Sequence, residues 1–184
     1  MQRDLVIAAQ RGDVEAFSAL TEVRTGRLYA VARMILRDDD RAGDAVQDAL
    51  LQAWRDLRAL RDPDRFDGWL HRMLVRACYR AAKRDRTREL LELRIAIDGV
   101  DRSDTQRDLA VRDQLERGFR VLTTDQRTVL VLRHYVGLSL AELAEVIDVP
   151  LGTVQSRLNR ATQAMRAAID ADERRGELAT EGAS

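Results

Sequence analysis

The stretch SLAELAEVIDVPLGTVQSRLNRA, residues 139–161, decides the fold. Ser139 followed by Glu142 is a capping box, so a helix can start here with its first amides satisfied. Leu140, Leu143, Ala144 and Ile147 fall at i, i+3, i+4 and i+7, which makes one apolar helical face. Asp148-Val149-Pro150 ends that helix, because the residue before a proline is pushed out of the α region. A second helix follows, with Val154, Leu158, Ala161 and Met165 on its buried side. Thr153, Gln155, Ser156, Arg157, Asn159 and Arg160 face outward. A second helix whose early turns carry Gln, Ser, Asn and Arg can reach base edges and phosphates in a major groove. The plain alternative is a helical hairpin with a solvated face. Against it, the helix has no acid from Pro150 to Ile169 but carries Arg157, Arg160 and Arg166.

Composition sets the frame. A chain of 184 residues, 45% hydrophobic, 34% charged and 4% aromatic with two prolines, reads as globular and mostly helical. Basic and acidic residues balance at 31 each, so only their distribution carries information. The single cysteine, Cys78, cannot make an internal disulfide and reads as a buried thiol. His71 and His134 lack partners at metal-ligand spacing, so no metal and no cofactor are expected. No apolar run is long enough to cross a membrane and no signal-peptide core opens the chain, which points to a cytoplasmic protein.

Working outward, two helical blocks flank a weaker middle. The first has a short helix at Asp4 to Gln10 ending at Gly12, then a long one with Leu28, Val31, Ala32 and Ile35 on one face. After Asp38-Asp39-Asp40 comes a third, about Arg41 to Leu60, striped by Val46, Ala49, Leu50, Ala53 and Leu57. A polar loop, Arg61 to Asp67 around Pro63, leads to a fourth helix that continues past Lys83. The middle, about Thr87 to Asp108, has no sustained period and reads as a linker with some local helix. An opening helix from about Leu109, a helix capped by Thr123 or Thr124, and the helix-turn-helix complete the second block. The tail after Asp170 is polar and expected to fray. Domain limits of 1–88, 89–108 (linker), 109–171 and 172–184 (tail) follow.

The fourth helix carries a second basic surface. Leu70, Met73, Leu74, Ala77 and Ala81 form its apolar face. Arg72, Arg76, Arg80 and Arg84 recur every fourth residue, roughly 200° away at about 100° per residue, so they are expected to point from the core. Between His71 and Arg88 the one acid is Asp85, against Arg72, Arg76, Arg80, Lys83, Arg84, Arg86 and Arg88. Stacked arginines repel one another, and a polyanion along the ridge would relieve that repulsion with release of counterions. Trp69 borders the same face and Phe66 lies beside it. Arginines next to aromatics suit single-stranded bases, which stack on the rings while phosphates meet the guanidinium groups. The competing reading makes Phe66 and Trp69 core residues capping the helix; it is favoured for Phe66 and left open for Trp69.

These residues resemble the extracytoplasmic-function group of bacterial RNA polymerase sigma factors. The matching stretches are DAVQDALLQAWRDL (44–57), FDGWLHRMLVRACYRAAKR (66–84) and residues 139–161, in that order. The resemblance implies an all-α fold of two small domains, region 2 and region 4, joined by a flexible linker. It implies a non-enzymatic factor that binds core RNA polymerase, through the β′ clamp helices and the β flap, and directs initiation at promoter DNA. It implies control by an anti-sigma factor, with no catalytic residue, no small-molecule substrate and no membrane insertion. Asp44, Gln47, Asp48, Leu51 and Trp54 would dock on polymerase. Arg61, Asp64, Arg65, Phe66, Trp69, Arg72, Arg76, Arg80, Lys83 and Arg84 would meet the minus-ten element, the loop capturing a flipped base. Thr153, Gln155, Ser156, Arg157, Asn159 and Arg160 would meet the minus-thirty-five element, with Arg157 holding phosphate or packing inward. Arg76 and Arg80 stand where the family often has Asn and Asp, which shifts the expected contacts toward the backbone. Gly43 and Ala49 replace the more usual Glu and Thr, and Thr123 stands where proline is common.

Three rivals remain. A stand-alone helix-turn-helix repressor or activator would share the DNA-binding half but has no use for residues 44–57 or a second arginine ridge. A helical interaction protein would use the arginines only for solubility. An enzyme would need a nucleophile–base pair, a phosphate loop or a metal cluster, and none is evident in the sequence.

Overall fold

The computed structural model describes residues 1–92 and 118–181, and those residues form helices and turns with no strand. Helix α1 spans Gln2–Gln10, α2 Val14–Leu36, α3 Asp39–Asp56 and α4 Phe66–Glu92. Short 3-10 turns, Leu57–Ala59 and Pro63–Arg65, lie between α3 and α4. In the second half, residues 118–120 are helical. They are followed by α5 (Thr124–Leu130), a π turn (Val131–Val136), α6 (Leu140–Ile147) and α7 (Leu151–Glu181).

Local chemistry explains the boundaries. Asp13 caps α2 by accepting from the Ala16 amide at 3.0 Å. Arg37 ends α2 in the left-handed region, and Asp38 then caps α3 by accepting from the Arg41 amide at 2.9 Å. The Asp38-Asp39-Asp40 interruption is thus a cap, and α3 starts two residues earlier than expected. Gly12 and Gly137 take φ of +100° and +88°, values an L side chain resists, and each closes a helix end. Thr123–Gln126 and Ser139–Glu142 are both reciprocal capping boxes. Helix α6 stops because Asp148 turns left-handed (φ 56°) and its amide bonds the Ala144 carbonyl. That break comes one residue before the position proline constrains.

One sequence expectation needs correction. Helix α7 does not end near Asp170 but runs to Glu181. The segment after Asp170 is made largely of Ala, Glu and Arg, good helix formers, and Arg174 braces it by donating to the Asp170 carbonyl at 3.0 Å. Helix α4 continues past Lys83 to Glu92, in keeping with the local helix expected in the linker. The remainder of that linker and the helix expected from Leu109 to residue 117 lie outside the described residues.

The core of the first half is Leu20, Leu28, Val31, Ile35, Leu57, Phe66, Leu70 and Leu74. Ala42, Ala45, Ala49 and Ala53 on α3 are buried and small, so α3 approaches α2 and α4 closely. In the second half Val129, Val131, Leu132, Leu143, Val146, Val154 and Ala161 are buried. Leu143 and Val146 are the deepest residues of α6, whereas Leu140, Ala144 and Ile147 are only half-buried.

The two halves share one apolar core. The reason lies in α4, which has two buried faces rather than one. Leu70, Met73, Leu74 and Ala77 pack into the first half, as the stripe predicts. Val75 and Cys78 are also 1% exposed, and His71, Tyr79 and Ala82 are half-buried beside them. At about 100° per residue this second stripe lies a quarter-turn or more from the first. Helices α5 and α6 and the π turn pack against α4 and α2. Burying a branched apolar side chain is worth about 1.5–3 kcal/mol, so a shared core of this kind holds the halves together.

Candidate nucleic-acid interface

The helix expected to meet the upstream element is the early part of α7. Gln155, Ser156, Asn159 and Arg160 are exposed and Thr153 is half-buried. Arg160 lies back along the helix, donating to the Ser156 carbonyl at 3.2 Å and its hydroxyl at 3.3 Å. Ser156 in turn donates to the Thr153 carbonyl at 3.0 Å. These contacts hold Arg160 on the face it would present to DNA. Arg157 is different: it is half-buried and paired with Asp125 of α5 at 3.4 Å. Of its two expected roles, packing inward is the one this arrangement shows.

The second basic surface is real but narrower than the arginine spacing predicts. Arg76, Arg80, Lys83 and Arg84 are exposed along α4. Arg72 is half-buried, with its Nε shielded and without a hydrogen-bond partner among the described residues. The expectation that all four arginines leave the core therefore fails at Arg72, which lies on the edge of the face covered by the second half. Trp69 is half-buried and borders the ridge. Phe66 is fully buried beneath it, their rings 6.1 Å apart, and the Arg24 guanidinium lies 5.5 Å from the Phe66 centroid. No base can reach Phe66 here, so its expected DNA role is corrected to a core one that supports Trp69.

The loop between α3 and α4 is held from α1 and α2. Gln10 donates to the carbonyls of Leu57 (3.1 Å) and Leu60 (2.7 Å). Arg3 pairs with Asp64 at 2.6 Å. Arg24 donates to Asp67 at 2.6 Å and to Gln2 at 2.9 Å. Arg61, Asp64 and Arg65 are exposed at the loop. Nothing in their spacing revealed these braces, because each joins helices far apart in the chain.

The third surface lies on α3. Asp44, Gln47 and Leu51 are exposed and Asp48 and Trp54 half-buried on it. Leu51 is 55% exposed, a large apolar side chain left open, and Trp54 is fixed against Phe17 with ring centroids 5.0 Å apart. An open leucine beside a pinned tryptophan and exposed acids is suited to docking a protein partner.

Between the halves lies a cleft of about 930 Å³. Arg24, Arg27, Trp69, His71 and Arg72 line one wall, and Leu138, Glu142, Glu145 and Val146 line the other. The seam is closed by Arg127 donating to the Ile35 carbonyl (2.7 Å), Arg27 to the Val136 carbonyl (3.1 Å), and the Arg65–Glu145 pair (3.3 Å). Burial lowers the pKa of Arg127 and of His71, disfavouring a further charge at the seam. Tyr79 faces Asp125 and Thr128; burial first, then the Asp125 carboxylate, pushes its hydroxyl up to about 12. Cys78 is likewise pushed up to about 12 by burial. Two buried polar atoms, His71 Nε2 and Arg72 Nε, have no hydrogen-bond partner among the described residues. Both lie on α4 at or beside its second face, and each such group costs about 1–3 kcal/mol. Among the described residues no cluster of His, Cys, Asp or Glu could hold a metal ion, and no helix is long and apolar enough to cross a membrane.

A helical half with an exposed basic ridge and a second half with a capped helix-turn-helix leave two separate basic surfaces on one chain. Residues 22–88 match the family model for Sigma-70 region 2, and residues 112–165 that for Sigma-70, region 4. The chain is 32% identical over 158 residues to the ECF RNA polymerase sigma factor SigM of Mycobacterium tuberculosis, covering 86% of this chain and 79% of SigM. It is 28% identical over 173 residues to the ECF RNA polymerase sigma-E factor of Escherichia coli K12, covering 88% and 90%. Among solved structures it resembles CnrH in complex with the cytosolic domain of CnrY (TM-score 0.66, 29% identity, 93% of this chain and 98% of that one). It also resembles RpoE of Bartonella quintana in complex with the anti-sigma factor NepR (TM-score 0.68, 25% identity, 86% and 99%). The chain belongs to the ECF RNA polymerase sigma factors. It binds core RNA polymerase and promoter DNA and directs transcription initiation, as a member of a family of non-catalytic initiation factors.

Proposed function

We propose that this sigma factor grips a promoter at two points and polymerase at a third. Gln155, Ser156, Asn159 and Arg160 read the upstream element, with Thr153 beside them and Arg157 setting the helix against Asp125. Trp69, Arg76, Arg80, Lys83 and Arg84, with Arg61, Asp64 and Arg65 of the loop and Arg72 once uncovered, hold the minus-ten region. Asp44, Gln47, Asp48, Leu51 and Trp54 dock on the β′ clamp helices, and region 4 meets the β flap. The observation that carries this reading is that the two basic surfaces sit on separate halves, each with its exposed residues on a rigid helix. Neither surface is large, and joint docking on polymerase would multiply their affinities through effective concentration. Duplex opening costs unstacking, offset by holding the opened strand on Trp69 and the arginines.

The domain limits, region 2 within 1–88 and region 4 within 109–171, belong to the same reading, as do the absence of enzymatic activity and a cytoplasmic place of action beside polymerase. Control by an anti-sigma factor is supported by the likeness to the sigma factor RpoE, solved with the anti-sigma factor NepR. The test is a run-off assay with promoter variants. Arg160→Ala should lose discrimination at the upstream element, and Arg76→Ala with Arg80→Ala should lose open complexes. Unchanged promoter selection by Arg160→Ala would remove that residue from the interface.

A further inference from the structure

We infer that α1 shapes the loop between α3 and α4 for base capture, with Gln10 as the positioning residue that orders the loop before DNA arrives. This rests on the reading of that loop as part of the minus-ten surface. Helix α1 lies wholly ahead of residues 22–88, which match region 2, yet three of its polar side chains bond to the loop or its flanks. Gln10, at its C-terminal end, donates from one amide nitrogen to two carbonyls, Leu57 at 3.1 Å and Leu60 at 2.7 Å. Near the other end, Arg3 pairs with Asp64 at 2.6 Å. Gln2 donates to Asp67 at 3.4 Å and accepts from Arg24, which itself donates to Asp67. At about 1.5 Å per residue, Arg3 and Gln10 are about 10 Å apart along the axis, so α1 holds the loop at its start and at its close.

Gln10 stands out among these braces. The Leu57 and Leu60 carbonyls lie where α3 gives way to the loop, and carbonyls at a helix end need a donor from outside the helix. Both leucines are buried, so these bonds are sheltered, whereas the Arg3–Asp64 pair is open to water. Past Leu60 the loop makes a turn of its own. The Asp62 carboxylate accepts from the Asp64 amide at 3.0 Å, and the Asp62 carbonyl accepts from the Arg65 amide at 3.1 Å. Arg61, Asp62, Asp64 and Arg65 stay exposed on this fixed backbone. The same network reaches Trp69, because Arg24 lies 5.5 Å from the centroid of Phe66, the ring beneath it.

A loop held in this way loses its conformational freedom when the chain folds, not when it meets DNA. Such preorganisation raises affinity without adding a contact. A base drawn from the stack has an unstacking cost to offset, so a loop already in shape favours capture. Gln10 acts through the Leu57 and Leu60 carbonyls and needs no contact with DNA.

The test is holoenzyme binding to a fork fragment of a promoter it uses, with the minus-ten strand unpaired and each base of that strand removed in turn. Removal of the captured base should weaken binding by the unmodified holoenzyme about tenfold. Gln10→Met keeps the length of the side chain but has no donor, and should weaken binding to the intact fragment about fivefold or more. On the fragment without the captured base that penalty should fall to about twofold or less, because both changes act through one contact. Gln10→Lys keeps a donor and should bind within about twofold of the parent. Arg3→Ala, at an exposed site outside the core, should weaken binding to the intact fragment about two- to fivefold and lose that penalty on the same fragment. It carries the test if Gln10→Met lowers the melting midpoint. No penalty from either variant, or an equal penalty on every fragment, would overturn the inference. An unmodified holoenzyme indifferent to the removal of every base would sink the base-capture reading of the loop, and the inference with it.

Discussion

Removing Arg76 and Arg80 together tests the α4 ridge most sharply. Both side chains are exposed on the same side of the helix, one turn apart, and neither belongs to the buried core. Their replacement by alanine should therefore leave the fold intact while deleting two phosphate partners. Each neutralised phosphate contributes about 0.7 to the salt slope for single strands and about 0.9 for duplex, so the slope should flatten by about 1.4–1.8. Between 50 and 200 mM salt, a fourfold change, the unmodified holoenzyme should lose about 7–12 times more open complex than the double variant loses. The assay is open-complex formation on a fixed promoter as a function of salt, with thermal unfolding as the folding control. An unaltered slope with an intact fold would mean that the ridge does not touch DNA, and the spacing argument for Arg76 and Arg80 would be wrong.

Other consequences are independent of that one. Phe66→Ala empties a fully buried ring site and should cost about 3–5 kcal/mol, lowering the melting midpoint by roughly 6–20 °C; a midpoint within 2 °C or so of the parent would contradict its core role. Ser139→Ala breaks the reciprocal cap of α6, whose bonds are 2.8 and 3.2 Å, and should cost about 1 kcal/mol in a denaturant titration, less than Phe66→Ala. Burial raises the pKa of the Cys78 thiol and of the Tyr79 hydroxyl to about 12 in the fold. The unfolded chain releases these protons first, from about pH 9 for the thiol and about pH 10 for the hydroxyl. Their contribution to stability is thus complete below about pH 9 and lost as pH rises toward 12. Cys78→Ser should shallow that alkaline loss, and an identical pH profile for the variant would show the thiol is not buried.

Much of this was written locally. Capping boxes at Thr123 and Ser139, the glycines at 12 and 137, and the α4 stripe through Leu70 and Leu74 are short-range signals, and each lies where the spacing puts it. What the sequence hid depends on tertiary neighbours. The second buried face of α4, through Val75 and Cys78, is invisible to a one-stripe reading, because its polar companions His71, Arg72 and Tyr79 look like surface. Arg157 stays open between holding phosphate and packing inward until Asp125, thirty-two positions away, is found beside it. The loop braces from Gln10 and Arg3 likewise join distant segments. At Phe66 the core reading favoured by the sequence holds, and packing under Trp69 and Arg24 supplies the neighbours that the sequence does not name. The α7 extension past Asp170 differs for another reason: its polar composition suggests fraying, although its residues favour helix.

The central claim is that this chain selects promoters for polymerase through both of its helical halves. The most direct measurement is transcription by purified core polymerase plus this protein from a pool of genomic fragments, with start sites mapped. The account predicts discrete starts preceded by two shared sequence elements, lost for the upstream element alone with Arg160→Ala. A pool that yields no protein-dependent start, while the same polymerase initiates with another sigma factor, would contradict it.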